Sequence, residues 1–309
     1  MTHGWVANGY GGLDDFEFTE RETGAPEPGE VTVRVTAAGV NPADLKHVTR
    51  GTDPLPIAVG YEIAGIVTDV GEGTRCASGP VAVGDRVAAF RVHGGYAEEL
   101  TVPAADVFVL PPSVDDAAAA GLLLAGCTAA ELLHRSGARA GDTVLFHAAS
   151  GAVGAIFLQL AAREDVAVVG TAGPGRQDAV TRFGGIAVPY GPGLAQRVRA
   201  AAPADVVAAL DAAGTGEATA VSLDLVADRD RILTVAAPQD AKRHGFVAVS
   251  GAQPASAAYR DSVRGPLLDL LAAGELEVPL ARSFPLEQAQ DALRLVASGG
   301  AHGKVVLRP

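Results

Sequence analysis

The sequence predicts an α/β protein in two parts, a β-rich region followed by a doubly wound parallel sheet. Three observations predict it. The first hundred of the 309 residues read as short β segments separated by turn signals. From residue 142 the rhythm changes to short apolar strands alternating with helices. A glycine-bearing turn within Phe146-His147-Ala148-Ala149-Ser150-Gly151-Ala152-Val153-Gly154 joins the first of those strands to an apolar helix.

In the first part, residues 31–35 alternate apolar with polar, residues 63–70 are β-branched, and residues 86–90 follow the turn Val83-Gly84-Asp85. Small antiparallel sheets are the expected result. Pro111-Pro112 breaks the chain, and Asp115 and Asp116 can cap an Ala-rich helix reaching about residue 124. In the second part, strands are expected at 143–147, 166–171, 186–188, 206–211, 231–235 and 246–249, with helices including 154–163 and 177–183. Helical crossovers between short apolar strands imply a parallel sheet covered on both faces. A helix rich in Leu267, Leu268, Leu270 and Leu271, a helix at 287–297 and a terminal strand at 304–307 complete the chain. This tail is too short for its own core and is expected to pack on the N-terminal part. The expected division is 1–118 completed by 256–309, and 119–255.

Composition narrows the function. A hydrophobic content of 48% is ample for a continuous core. Two cysteines, Cys76 and Cys127, build neither a disulfide framework nor a four-thiolate zinc site, and a reducing, cytoplasmic location is expected. Residues 1–5 lack the basic start and apolar run of a secretory signal, and no apolar stretch reaches the ~20 residues needed to cross a bilayer, so no membrane partner is expected. A formal net charge of −12, with no basic stretch interleaved with aromatics, argues against nucleic acid.

The turn at 146–154 sits where a dinucleotide site requires glycine. Gly151 lets backbone amides approach a pyrophosphate, Gly154 permits close helix-to-sheet packing, and the helix start at Ser150, Gly151, Ala152 and Val153 attracts the anion. Ala149 stands where the usual pattern has its first glycine, and a tight turn without ligand is the alternative. An NAD site would place an acid near Thr171; instead Gly170-Thr171-Ala172-Gly173-Pro174-Gly175-Arg176 carries none before Asp178. Arg176 can bind a 2′-phosphate bidentately, which favours NADPH, although a solvated surface arginine is the other reading.

Several separated motifs then join: Ala37-Ala38-Gly39-Val40-Asn41-Pro42-Ala43-Asp44-Leu45-Lys46, Gly60-Tyr61-Glu62-Ile63-Ala64-Gly65, Val83-Gly84-Asp85-Arg86-Val87, Gly94-Gly95-Tyr96-Ala97-Glu98 and His302-Gly303-Lys304-Val305-Val306-Leu307. In this order they resemble the zinc-free quinone oxidoreductase, or zeta-crystallin-like, branch of the medium-chain dehydrogenase/reductase superfamily. The resemblance implies a GroES-like β-rich catalytic domain, completed by the C-terminal tail, plus a Rossmann NADP-binding domain. Positions that hold catalytic zinc in the alcohol dehydrogenases of this superfamily correspond to Asn41, Tyr61 and approximately Leu124, which form no thiolate and imidazole site, so no metal is expected.

The resemblance also implies site roles. Asn41 lies beside the nicotinamide, Thr128 follows the first long helix near the cofactor, Tyr190 reaches the adenosine phosphate, and backbone around Val235, Ala236, Val247 and Val249 lines the cofactor groove. Lys304 can stand in for a phosphate-binding residue found near Gly299 in some relatives, a solvated lysine being the alternative. Asn41 and Tyr61 are the candidate catalytic residues, Tyr61 reading equally well as a packed wall of the pocket; His93 and Tyr96 lie in a loop bordering the substrate pocket, an ordinary surface-loop histidine being the preferred reading of His93. His47, His134 and His244 show no partner pattern, His147 is expected to order the phosphate loop, and Glu62 reads as a polar anchor. The implied activity is NADPH-dependent hydride transfer to a quinone or an α,β-unsaturated carbonyl small molecule, by a homodimer joined through the strand at 246–249. A biosynthetic reductase or reductive cyclase for one natural-product intermediate, and an NADPH-binding structural or regulatory protein without turnover, are the alternatives.

Overall fold

The computed structural model describes all 309 residues as two units, Met1–Leu124 with Leu267–Pro309, and Ala125–Pro266. Both boundaries fall inside helices, Asp116–Ser136 and Pro254–Ala272. The first helix runs 21 residues, well past the expected stop near residue 124. Gly121 lowers helix propensity without ending the helix, because packing overrides propensity. The chain turns only at Gly137, which takes the left-handed φ of 64°. With a mean hydropathy of 1.4 this helix is long and apolar enough to cross a bilayer, contrary to the reading of shorter apolar runs. It is mostly buried within the protein, as a core helix is.

The first unit is organised on Glu30–Val40, an 11-residue strand. It belongs to a seven-stranded sheet in which Val107–Val109, Arg86–Phe90, Glu62–Val70, Glu30–Val40, Lys304–Arg308 and Leu280–Pro285 follow one another, while Glu99–Pro103 also pairs with the long strand. The terminal strand runs antiparallel to Glu30–Val40, with Val306 opposite Gly39. Leu280–Pro285 then adds in parallel, a strand the residue pattern did not disclose. Its exposed Leu280, Ala281, Arg282 and Ser283 lack the apolar alternation of a half-buried strand. A smaller sheet joins Phe16–Arg21, Thr2–Ala7 and Ile57–Ala58. One core unites the sheets through Val33, Ile63, Val87, Val305 and Leu307. The Trp5 indole donates to the carbonyl of Leu286 at 2.8 Å, satisfying its polar end inside that core.

The second unit is a six-stranded parallel sheet. Ile186–Pro189, Ala167–Ala172, Thr143–His147, Val206–Asp211, Ile232–Thr234 and Val247–Ala248 lie in that order, so chain order reverses on the two sides of the first strand. This is the doubly wound arrangement, whose ligands bind outside the carboxyl ends of the strands. The helix after the phosphate loop, Ala152–Arg163, buries Ile156, Phe157 and Leu158. Leu145, Val169, Ala209 and Ile232 fill the core below the sheet.

In the same unit a buried ion cluster joins Ala125–Ser136, the later part of its long helix, to Pro254–Ala272. The Arg260 Nε donates to Glu131 Oε2 at 2.6 Å, the Ser256 hydroxyl donates to Oε1, and Arg135 reaches Oε1 at 3.4 Å. Removing one partner of such a pair strands a buried charge at a cost of about 3–5 kcal/mol, whereas removing both with apolar replacements can be neutral. Glu131→Gln is therefore expected to lower the urea midpoint sharply, and Glu131→Leu combined with Arg260→Met to recover most of the loss.

Candidate functional site

Three neighbouring strand ends in the parallel-sheet unit present the residues expected to hold a dinucleotide. After Thr143–His147 comes the turn into Ala152–Arg163. Its left-handed residue is Ala148, with φ 63°, rather than Ala149, whose side chain instead lies over Gly170. The Thr171 hydroxyl accepts from Ala148 N at 3.1 Å and the Thr171 carbonyl from Ala149 N at 2.9 Å. Thr171 thus secures the loop and is itself buried. Gly151 begins the helix in an ordinary extended conformation. A Cβ on Gly154 would lie 2.5 Å from the Ala149 Cα, so only glycine allows the helix this close to the loop. Ser150, Gly151, Ala152 and Val153 are half-buried, and the first amides of a helix have no partner within it.

Beyond the second strand, Gly173 and Arg176 form a loop against Tyr190, which follows the third strand. A Cβ on Gly173 would sit 2.9 Å from the Tyr190 hydroxyl, and Tyr190 is 56% exposed. Gly173, whose carbonyl accepts from Arg176 N at 3.1 Å, thus lies against Tyr190. On the other side of the sheet, Val235 and Ala236 follow Ile232–Thr234, and Val249 follows Val247–Ala248. Their backbone is set by two residues the sequence reading missed. Asp211 accepts from Ala213 N and Gly214 N at 2.9 Å and from the Thr234 hydroxyl at 2.8 Å, while Thr234 Oγ1 accepts from Ala236 N and Ala237 N. His147 lies behind the loop, 3.2 Å from the Ser222 hydroxyl, and burial pushes its pKa down to about 4 against the opposing pull of Asp211. Thr128 lies inside the long helix, not after it, because that helix continues to Ser136.

The β-rich unit centres on a polar network. Lys304 Nζ donates to Asn41 Oδ1 and to Glu62 Oε1, each at 2.5 Å, and Asn41 Nδ2 donates to the same Glu62 oxygen at 2.9 Å. Glu62 Oε2 accepts from Leu124 N at 2.8 Å. Lys304 is only 1% exposed, which corrects both its expected contact with a cofactor phosphate and the solvated alternative: its ammonium is committed to a buried carboxylate. Asn41 also starts the helix Pro42–Thr49, with Pro42 in its first turn and Asp44 Oδ2 accepting from Asn41 N at 2.7 Å. The Tyr96 hydroxyl donates to that Asp44 oxygen at 2.8 Å. Tyr96 is wholly buried, so its expected place in the substrate pocket is corrected too: the phenol supports the network from within.

Burial lifts the Asp44 pKa to about 7, outweighing the hydrogen bonds from Tyr96 and Asn41 that favour the carboxylate. Asp44 Oδ1 has no hydrogen-bond partner, so nothing at that oxygen offsets the cost of burying a charge. His93 stands in a different setting, an open cleft of about 330 Å³ that it lines with His47, Asp53, Pro54, Pro56, Ile57 and Ala58, and Tyr61 packs on the two histidine rings. The rings of His47 and Tyr61 stack at 5.1 Å, and His93 meets Tyr61 edge-on at 5.8 Å. Burial, followed by the charge of Asp44, raises the Tyr61 pKa to about 12, so its phenol keeps its proton. His47 was passed over because a lone histidine has no spacing signal; the cap Asn41-Pro42-Ala43-Asp44 was the clue that a helix would carry it.

Comparison with known proteins bears on the family and the fold. Residues 27–112 match the alcohol dehydrogenase GroES-like domain and residues 190–307 the zinc-binding dehydrogenase family. A quinone oxidoreductase structure from Pseudomonas syringae pv. Tomato is 27% identical with a TM-score of 0.86, covering 100% of both chains. A mycobacterial protein solved with NADPH is 27% identical with a TM-score of 0.85, over 99% of this chain and 100% of that one. The chain belongs to the medium-chain dehydrogenase/reductase superfamily. Its parallel-sheet unit is the NADPH-binding fold of that superfamily. Among curated relatives, the mouse synaptic vesicle membrane protein VAT-1 homolog is 39% identical over 186 residues, 58% of this chain and 45% of that protein. A 2-haloacrylate reductase from a Burkholderia species is 39% identical over 170 residues, 52% of this chain and 50% of that one. The chain thus spans about half the length of these relatives.

The zinc named by one matching family does not fit this medium-chain dehydrogenase/reductase. Asn41, Tyr61 and Leu124 offer an amide, a phenol and an alkyl group, and no cluster of three or more His, Cys, Asp or Glu is disposed to hold a metal. The cationic centre between Asn41 and Glu62 is the Lys304 ammonium.

Two outcomes are expected from this geometry. Lys304→Met should cost about 3–5 kcal/mol in denaturant unfolding by leaving Glu62 unpaired in the interior, and Glu62→Gln in the same chain should return part of it. Because the folded Asp44 pKa of about 7 exceeds the unfolded value, the folded state binds the extra proton between about pH 4 and 7, and stability falls as pH rises through that window. Asp44→Asn should remove that part of the slope in a series of urea melts, and an unchanged slope would assign it elsewhere.

Proposed function

We propose that this chain is an NADPH-dependent oxidoreductase that passes hydride to a quinone or an α,β-unsaturated carbonyl compound. One observation carries the reading: Lys304 supplies the fixed cation beside Asn41 and Glu62, where the donor set suits no zinc. Without a metal to polarise a simple carbonyl or alcohol, the acceptor must be electrophilic through its own conjugation. The 2-haloacrylate reductase and quinone oxidoreductases to which the chain is similar support that choice.

In this reading the amides of Ser150, Ala152 and Val153 hold the pyrophosphate, with the helix dipole behind them, while Gly151, whose own amide donates to the Ala148 carbonyl at 3.1 Å, leaves room for its approach. Arg176 and Tyr190 take the 2′-phosphate, and the backbone of Val235, Ala236, Val247 and Val249, together with Thr128, borders the rest. Once bound, the nicotinamide supplies hydride to the acceptor. Asn41 contributes orientation: with its oxygen on Lys304 and its nitrogen on Glu62, its amide cannot turn. Tyr61 presents a protonated phenol, able to donate a hydrogen bond to the acceptor oxygen as charge develops there. The edge position of Val247–Ala248 in its sheet supports a homodimer joined there.

The test is NADPH oxidation across a panel of quinones, 2-alkenals and cyclic enones, with product analysis. Tight NADPH binding with no oxidation by any acceptor would instead favour a binding protein without turnover. Arg176→Ala should weaken NADPH binding by about tenfold or more while leaving NADH nearly unaffected, the loss of a charge-assisted pair being about 1.5–3 kcal/mol. Equal losses for both cofactors, measured by fluorescence titration, would remove Arg176 from the 2′-phosphate site.

A further inference from the structure

The cleft beside Tyr61 holds chemistry that hydride transfer does not use. His47 Nε2 is hydrogen-bonded to Asp53 Oδ2, and both residues line the cleft. We propose that His47, held by Asp53, is the acid that gives the reduced acceptor its proton, with Tyr61 and His93 as the ring walls that hold the imidazole in place. This assignment rests on the oxidoreductase reading above.

The geometry selects the nitrogen. Because Nε2 faces the Asp53 carboxylate, it carries a hydrogen in both protonation states, and Nδ1 is the atom left to exchange a proton with a ligand. A carboxylate on the far nitrogen orients the ring and balances the charge of the imidazolium form. Asp53 is itself fixed, since the Tyr10 hydroxyl donates to its carbonyl at 2.7 Å and Gly51 packs against the Tyr10 ring. The ring of His47 is confined by stacking on Tyr61 at 5.1 Å and an edge contact with His93 at 5.7 Å. Its side chain is 10% exposed, whereas that of Asp53 is 48% exposed, so the pair is poised between the interior and water.

The neighbouring groups leave His47 as the suitable donor. Tyr61, with its pKa raised to about 12, is a hydrogen-bond donor but a poor acid. Asp44 and Arg50 act on Tyr61 from the helix that carries His47, and His93 faces both rings from the opposite loop. Pro54, Pro56, Ile57 and Ala58 make the rest of the wall apolar or nearly so, which suits a small conjugated acceptor with one oxygen to be recognised.

The step balances without another reagent. Hydride adds two electrons and one hydrogen to the β-carbon of an enone, or to a quinone, and the displaced π pair moves to the carbonyl oxygen. The His47 Nδ1–H bond breaks, its hydrogen joins that oxygen or the α-carbon of the enolate, and the pair stays on nitrogen. The neutral imidazole then takes a proton from water at the open cleft.

The experiment compares the wild type with His47→Gln and Asp53→Asn, using NADPH with 2-cyclohexenone and 1,4-benzoquinone. A positioned general acid contributes about 10²–10⁴-fold. kcat with cyclohexenone should fall at least about 10²-fold in His47→Gln and less in Asp53→Asn, NADPH affinity should stay constant, and a solvent deuterium isotope effect should grow as protonation becomes limiting. Nitrogen-15 NMR of the NADPH complex should show His47 carrying its hydrogen on Nε2, a preference that Asp53→Asn weakens. A wild type that reduces both acceptors while the two variants keep its kcat and isotope effect overturns the proton assignment alone, as does a neutral His47 protonated on Nδ1. A wild type that reduces neither of these nor any other acceptor of the panel removes the oxidoreductase reading, and the proton assignment falls with it. Asp53 is on the surface, so Asp53→Asn decides the matter even if His47→Gln folds poorly.

Discussion

A single buried ammonium organises the β-rich unit. Lys304 reaches from the terminal strand, beside Gly121, to the side chains of Asn41 and Glu62. Three segments distant in sequence therefore meet at one ion pair that is 1% exposed on both sides. Such a pair adds little net stability relative to apolar packing, but it is costly to leave half made. Its physical consequence is specificity: the terminal strand has one register in which the ammonium finds its partners, and that register places Val306 opposite Gly39. Gly39 must lack a side chain, since a Cβ there would overlap the Glu62 carboxylate at 2.5 Å.

Two carboxylates in that unit illustrate how partners decide chemistry. Glu62 is met by an ammonium, an amide hydrogen and a backbone amide. Asp44 receives one phenol and one backbone amide on a single oxygen, leaving the other bare. Burial therefore dominates at Asp44 and favours its neutral form. The same cause acts in the parallel-sheet unit, where burial lowers the His147 pKa to about 4 and keeps the imidazole neutral behind the glycine turn.

Much of the candidate site was legible because its chemistry is local. Gly151 and Gly154, the missing acid near Thr171 and the unsuitable ligands at Asn41 and Tyr61 are all properties of short segments. What escaped was pairing across distance. Lys304 reads as a phosphate-binding or solvated lysine until Glu62 is found beside it, and Tyr96 reads as a pocket residue until its hydroxyl is found on Asp44. His47 and Asp53 lie six positions apart with a helix end and a proline-rich turn between them, so no periodicity announces their contact. Asp211 and Thr234 close adjacent strands, and only the sheet brings them to 2.8 Å.

The sequence by itself determined the two-part architecture, since apolar periodicity and turn chemistry are encoded residue by residue, and it determined which metal ligands are missing. It also set the doubly wound order of the second unit, because short apolar strands with helical crossovers have few other solutions. Tertiary structure decided where the long helix ends, that residues 280–285 join the sheet, and which polar groups share a buried space. Those outcomes depend on packing and on the pairing of charges removed from water, energies that arise only between segments distant in the chain.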